Sequence, residues 1–230
     1  MLQSVEQTTG SIAGAVRRRV ERSRDRFWRV DDFASLGNRS AAQRELSRLA
    51  HEGVLRQVRR DTYWRGRQTR LGMTPPPVDR LAVEVVGERY GVGPAGFSAA
   101  LALGLSTQHP RQDLFAVPRR PPAAVGSLVF KDRSARRGRV RERLNAREVA
   151  LLEVLGDWTT VELSEERAVD RLGEWLRSDE VRVERLAKAA QTEPAPVRRR
   201  LRALLGLAGL AGEAQSIPAP VGDVRSPGLL

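Results

Sequence analysis

Cationic and small polar side chains recur along one short stretch of the sequence at the spacing of an α-helix face. The face comprises Ser40, Gln43, Arg44, Ser47 and Arg48, and Arg39 stands directly before it. Arginine and glutamine donate hydrogen bonds to base edges, and serine and arginine donate to phosphates, so this combination suits contact with DNA. Ala42, Leu46 and Leu49 occupy the opposite side at helical spacing and predict a buried face.

Local signals predict where this helix begins and ends. Ser40 and Gln43 have the spacing of a capping box, which favours a helix start at Ser40. Gly53 is typical of the residue just past a helix end, since glycine adopts left-handed backbone geometry without strain. The stretch is therefore expected to fold as one helix of three to four turns.

The flanking segments complete a helix-turn-helix with a hairpin. The pattern predicts a short helix over residues 31–36, a turn at 37–39, and strands at 54–58 and 62–65 around the turn 59–61. Together these elements predict a winged helix-turn-helix, whose second helix enters the major groove of DNA. In that arrangement phosphates would be contacted by Arg39 and Ser40. Base edges would be contacted by Gln43, Arg44, Ser47 and Arg48. The DNA backbone beside the hairpin would be contacted by Arg59, Arg60 and Arg65. The alternative is a small helical domain whose arginines are only solvated.

Basic charge is concentrated in the first third of the chain. The 230 residues carry a formal net charge of +12. Residues 1–72 hold 16 basic and 8 acidic residues, and the remainder holds 24 and 20. Because 38 of the 40 basic residues are arginine, a GC-rich genome would also explain their number. The uneven distribution is independent of that bias and favours a polyanionic partner for the N-terminal part.

The sequence predicts an α+β fold with an N-terminal winged helix-turn-helix and a mixed, mostly helical second domain that contains a small β-sheet. The prolines mark a linker at 74–77, which separates a first domain at 1–74 from a second at 78–212. A first helix is expected over 11–23, strands at 114–117 and 127–130, and helices at 145–158, 164–177, 183–192 and 197–207. The basic segment 133–143 is either a surface loop or a second polyanion contact, and 213–230 is expected to be a disordered tail.

Residues that would support catalysis or cofactor binding are not predicted. The chain has no cysteine, and its two histidines, His51 and His109, lack metal-binding spacing. Residues 91–96 match a dinucleotide-binding glycine pattern, but a helix and not a strand is predicted before them. No signal peptide or apolar run of about 20 residues is present, so we expect a cytoplasmic protein without enzyme activity, metal or cofactor.

The segment Ser40–Leu55 resembles the AbiEi-like antitoxins of type IV toxin–antitoxin systems. That family carries the pattern Ser-Ala-Ala-x-x-x-Leu-Ser-Arg-Leu-x-x-x-Gly-x-Leu, followed by a hairpin that ends in an aromatic residue, here Tyr63. A looser match extends over 93–108, and Asp61 stands where the family usually has glycine in the hairpin turn. The resemblance covers about residues 11–130. It implies an antitoxin that represses its own operon by binding operator repeats and that counteracts a nucleotidyltransferase-type toxin.

Two other functions fit the same residues. A winged-helix transcriptional regulator without a toxin partner would use its C-terminal domain for ligand sensing or dimerisation. A protein–protein adaptor would use the N-terminal domain as a docking surface and would show no salt-dependent affinity for DNA.

Overall fold

The computed structural model describes the backbone of residues 2–219 and the side chains of residues 12–219, and it has a mixed α+β fold. The chain divides into two compact units, residues 1–77 and 78–230. The division falls directly after the prolines at 75–77, where the backbone can continue neither a helix nor a central strand. Within the described residues, no helix is both long enough and apolar enough to cross a bilayer.

The first unit combines helices with a small antiparallel sheet. Its helices are α1 (Leu2–Glu21), a 3-10 helix (Val30–Leu36) and α2 (Arg39–His51). Its strands are β1 (Arg26–Arg29), β2 (Arg56–Arg59) and β3 (Thr62–Arg65), in the order β1-β3-β2, and a separate hairpin pairs β4 (Gln68–Thr69) with β5 (Gly72–Met73). The predicted short helix, helix α2 and first hairpin are confirmed as elements. Helix α1 begins earlier than predicted, and β1 and the second hairpin were not predicted.

The core of the first unit lies between α1, α2 and the three-stranded sheet. Helix α1 contributes Val16, and α2 contributes Leu46 and Leu49, all fully buried. Strand β1 exists because Trp28 points inward from it and lies opposite Tyr63 of β3 in the antiparallel register. This core fixes the orientation of α2 relative to the sheet, and so decides which of its faces meets solvent.

The second unit is mostly helical. Its helices are α3 (Val78–Val86), α4 (Gly96–Leu103), α5 (Gly138–Arg141), α6 (Ala146–Gly156), α7 (Glu165–Arg177), α8 (Val183–Ala190), α9 (Ala195–Leu207) and α10 (Ala211–Ser216), with a 3-10 helix at Trp158–Thr160. Strands β6 (Gly93–Pro94), β7 (Asp113–Val117) and β8 (Leu128–Asp132) form a sheet in which β6 and β7 are antiparallel and β7 and β8 parallel. The four predicted C-terminal helices and the two predicted strands are confirmed as elements.

The core of the second unit extends past the predicted end of the domain at 212. Ile217 is fully buried, and Ala214 of α10 packs in the same core. The prediction of a disordered tail is therefore wrong for 213–219, because α10 buries apolar side chains against α9 and α8. Residues 220–230 of that predicted tail lie outside the described residues. In the glycine pattern 91–96, a helix, α3, comes before the glycines, as predicted.

Candidate nucleic-acid interface

Helix α2 is held by caps at both of its ends. Asn38 Oδ1 accepts a hydrogen bond from the backbone N–H of Ala41 at 2.9 Å, so Asn38 is the N-cap. The predicted helix start at Ser40 is therefore wrong: α2 begins at Arg39, because the extended backbone at Asn38 lets its short side chain cap the N–H of Ala41. Gly53 has a φ of +72° and ends the helix as predicted.

The exposed face of α2 and the β2–β3 hairpin together form an open groove of about 630 Å³. It is lined by Arg39, Ser40, Gln43, Arg44, Ser47, Gln57, Arg60, Asp61 and Tyr63. Six of the nine predicted site residues therefore lie around one surface, whereas Arg48, Arg59 and Arg65 are not among its lining residues. Gln57, Asp61 and Tyr63 were not predicted as site residues.

Tyr63 links the sheet to the exposed face of α2. Its ring is fully buried, and its hydroxyl oxygen accepts a hydrogen bond from Gln43 Nε2 at 2.9 Å and lies 3.2 Å from Ser47 Oγ. The bond fixes the Gln43 amide in one orientation, so less conformational entropy is lost when that amide contacts a ligand. The aromatic residue at the end of the hairpin was the only sequence signal for this contact.

Arg44 and Arg48 lie on the same helix but have different surroundings. Arg44 lines the groove, and among the described residues it makes no hydrogen bond or ion pair. Arg48 donates to both carboxylate oxygens of Glu45, at 2.9 and 2.7 Å, and to Glu52 at 3.0 Å. Because Glu45 is buried and also faces Arg17, these bonds hold Arg48 away from the groove. We therefore do not assign Arg48 to base contact.

Arg39 and Arg60, which both line the groove, are exposed. Arg39 forms an ion pair with Asp31 and remains 67% exposed. Arg60, at the tip of the first hairpin, is 96% exposed, and its Nε lies 4.0 Å from the carboxylate of Asp61. An ion pair this exposed holds a side chain weakly. Both guanidinium groups are therefore accessible to a phosphate.

Arg65 does not have the position expected of a phosphate contact. Its Nη1 donates to the carbonyl oxygen of Val54 at 2.9 Å, and its Nε is buried without a hydrogen-bond partner. The side chain thus connects β3 to the segment that follows α2. Arg59 is exposed at the end of β2, outside the groove. Of the predicted hairpin arginines, Arg60 is the one that reaches the groove.

The basic segment 133–143 contains helix α5, and its six arginines have two different environments. Arg133, Arg136 and Arg139 enter an ion-pair network with Glu153 and Glu193, whereas Arg137, Arg141 and Arg143 are exposed. Arg139 is fully buried and donates to Glu193 at 2.6 and 2.9 Å and to Glu153 at 2.7 Å. The surface-loop alternative is therefore wrong for 138–141, which form α5, and carboxylates distant in sequence compensate the charges of Arg133, Arg136 and Arg139. For the exposed arginines of the segment, contact with a polyanion stays a prediction.

The network keeps Glu153 ionised despite its burial. Burial raises the pKa of this carboxyl, but the hydrogen bond from Arg133 and the charges of Arg139 and Arg133 outweigh burial and lower the pKa to about 2. The described residues contain no group of three or more His, Cys, Asp or Glu side chains placed to hold a metal ion.

The fold defines the class of this protein, and a match to a family profile identifies its family. The fold is that of a two-unit α+β protein with a basic N-terminal unit. The chain belongs to the DUF6088 family, a family of unknown function, whose profile matches residues 14–175. No curated protein matches it significantly. Among solved structures, the Rv2827c protein from Mycobacterium tuberculosis is similar over 92% of this chain and 81% of that one, with 20% identity and a TM-score of 0.47.

Proposed function

We propose that the first unit is a winged helix-turn-helix that binds duplex DNA in the cytoplasm. In this proposal α2 lies in the major groove with Gln43, Arg44 and Ser47 at base edges. Arg39 and Ser40 contact phosphates at the N-terminal end of α2, and Arg60 contacts them at the hairpin tip.

The observation that carries this proposal is the groove between α2 and the β2–β3 hairpin. It brings an arginine without an intramolecular partner among the described residues, Arg44, next to the fixed amide of Gln43. Exposed cationic groups at Arg39 and Arg60 flank them. A surface that reads a DNA sequence needs two kinds of hydrogen-bond donor. Positively charged donors contact phosphates and position the protein, and polar donors between them contact base edges and specify the sequence. An interface for a neutral partner would not need this charge.

We further propose that the protein is an antitoxin and autorepressor of a type IV toxin–antitoxin operon, which counteracts a nucleotidyltransferase-type toxin. This part rests on the resemblance of Ser40–Leu55 and the following hairpin to AbiEi-like antitoxins. Its DNA target is then the operator of its own operon. The second unit, residues 78–230, is the part assigned to toxin neutralisation.

The test is binding of the full-length protein to its own promoter fragment and to a scrambled duplex across a salt series. We expect a clear preference for the promoter and a steep loss of affinity as salt rises, because phosphate contacts release counterions. Equal and weak binding to both duplexes would contradict the DNA-binding proposal and leave the arginines as solvated charge.

The antitoxin proposal is tested by co-expression. A nucleotidyltransferase reading frame next to this gene should encode a protein that arrests growth alone and is tolerated together with this chain. If no such neighbour exists, or if its toxicity is unaffected, the DNA-binding protein is instead a regulator without a toxin partner. Promoter binding would be retained in that case, so the two halves of the proposal can be separated.

A further inference from the structure

The second hairpin of the first unit ends in an apolar side chain that is entirely in solvent. Strands β4 and β5 are joined by Arg70 and Leu71, and Leu71 is 101% exposed. Among residues 12–77 it is the one large apolar side chain classed as exposed. Arg70 is exposed beside it and makes no hydrogen bond or ion pair among the described residues. A cation and an apolar group thus project together from this tip.

The tip is an ordered turn with its own hydrogen bonds. Thr69 Oγ1 donates to the carbonyl oxygen of Gly72 at 2.7 Å and accepts from the backbone N–H of Leu71 at 3.2 Å. Gly72 has a φ of +100°, which a residue with a side chain rarely adopts. In this turn the side chain of Leu71 lies in solvent, away from the hairpin.

The base of the hairpin is fixed equally firmly. Thr74 accepts a hydrogen bond from Trp64 Nε1 at 2.9 Å and exchanges two bonds with the backbone of Arg67, each at 2.9 Å. A Cβ at Gly66 would lie 2.4 Å from the Thr74 carbonyl oxygen, so only glycine permits this close approach. A hairpin whose backbone is already ordered in the free protein loses little backbone conformational entropy on binding.

The second hairpin borders the same surface as the candidate interface. A groove of about 550 Å³ lies between it and the C-terminal part of α2, lined by His51, Gln68 and Met73 among others. Ser47 and Gln57 line both this groove and the one beside the first hairpin. The two hairpins therefore flank the exposed face of α2.

We propose that this tip is a second DNA contact, in which Arg70 enters the minor groove next to the major groove bound by α2 and Leu71 wedges between base pairs. The inference rests on the proposed DNA binding. Arginine is attracted to the negative potential of a narrow minor groove, and leucine is one of the side chains that kink DNA by partial insertion.

Charge and size favour DNA over other partners. No acidic residue occurs between Asp61 and Asp79. Of the arginines in this interval, Arg67 pairs with Asp25 at 3.0 Å and Arg65 bonds to the Val54 carbonyl oxygen, so the cation presented at the tip is Arg70. A single apolar side chain is too small for a protein interface, which needs roughly 1,200 Å² or more of buried surface. It is also too small for a membrane anchor, which needs an extended apolar face. A wedge between two base pairs needs one side chain.

The experiment measures the bend of a promoter duplex, labelled with a dye at each end, by energy transfer. The wild-type protein should bend the duplex by about 20–90°. Leu71→Ala should remove most of this bend and keep the preference for promoter over scrambled DNA, which α2 provides. Leu71→Met should retain the bend, because methionine can also act as the wedge. Leu207→Ala, at an exposed leucine of the second unit, is the matched control and should change nothing.

A second measurement tests the minor-groove position. Netropsin, which occupies the minor groove, should weaken binding of the wild-type protein and have little effect on the double variant Arg70→Ala/Leu71→Ala, which lacks both minor-groove groups. The promoter affinity of Arg70→Ala alone should be at least about fivefold lower than that of the wild-type protein. An unbent wild-type complex, or the same bend in Leu71→Ala, would overturn the inference while promoter preference persists. Absence of promoter preference in the wild-type protein would instead contradict the proposed function.

Discussion

The buried carboxylate of Glu153 makes the stability of the second unit depend on pH, because neighbouring arginines lower its pKa. Its side chain is 3% exposed and accepts hydrogen bonds from Arg133 at 2.7 and 2.8 Å and from Arg139 at 2.7 Å. Burial raises its pKa, but the arginines dominate and lower it from 4.5 to about 2. A shift of this size corresponds to about 3 kcal/mol in favour of the ionised, folded state.

The sign of the effect follows from the direction of the shift. Because the pKa is lower in the folded state, the stabilisation is fully present above pH 4.5 and is lost as the pH falls from there toward about 2. We predict that Glu153→Gln removes this part of the pH dependence. It should also destabilise the unit by about 3–5 kcal/mol at neutral pH, since Arg139 stays buried with one carboxylate fewer.

Hydrogen exchange of the α6 amides is the suitable assay, because it reports the opening free energy of the second unit alone. Glu174→Gln is the matched control: Glu174 pairs with Arg171 at 2.7 Å but is 60% exposed, so its loss should cost less than about 1 kcal/mol. A wild-type pH profile in Glu153→Gln, or a loss no larger than that of Glu174→Gln, would refute the role of Glu153 as a buried, charged group.

Three further predictions concern the first unit. Tyr63→Phe should weaken promoter binding measured by fluorescence anisotropy, because Gln43 loses the hydroxyl that orients it. It should lower the free energy of unfolding by only about 1 kcal/mol. An unchanged promoter affinity would exclude a role of Tyr63 in positioning Gln43. Gly66→Ala should speed proteolysis of the second hairpin, since the new methyl group meets the Thr74 carbonyl oxygen; wild-type resistance would contradict the tight fit. Arg60→Ala should weaken all duplexes alike and reduce the salt slope by about one, and an unchanged slope would exclude its phosphate contact.

The elements around α2 were predictable because their signals are local. Helical spacing of Leu46 and Leu49 placed the buried face correctly, and Gly53 marked the helix end. The start was misplaced because Asn38 and Ser40 are both good caps, and the backbone conformation that chooses between them does not show in the sequence. The position of Arg48 was open to prediction, since Glu45 and Glu52 stand three residues before and four residues after it.

Contacts between distant segments were not predictable from periodicity. Strand β1 depends on pairing with β3, about 35 residues later, and the Tyr63–Gln43 bond depends on how the sheet packs on α2. The basic segment 133–143 has the composition of a loop, and only the folded chain brings Glu193 to Arg139. Charge density along a sequence therefore does not distinguish an exposed cationic surface from a buried, compensated one.

The most direct test of the central claim compares two arginines of the same helix. Arg44→Ala and Arg48→Ala are assayed for affinity on the promoter and on a scrambled duplex at one salt concentration. If α2 reads the operator, Arg44→Ala should lose about 1–3 kcal/mol on the promoter, about 5- to 150-fold, and much less on the scrambled duplex. Arg48→Ala should keep the preference, because Glu45 and Glu52 hold its guanidinium outside the groove. Equal losses on both duplexes for Arg44→Ala, or the same loss of preference for both variants, would contradict sequence reading by this face.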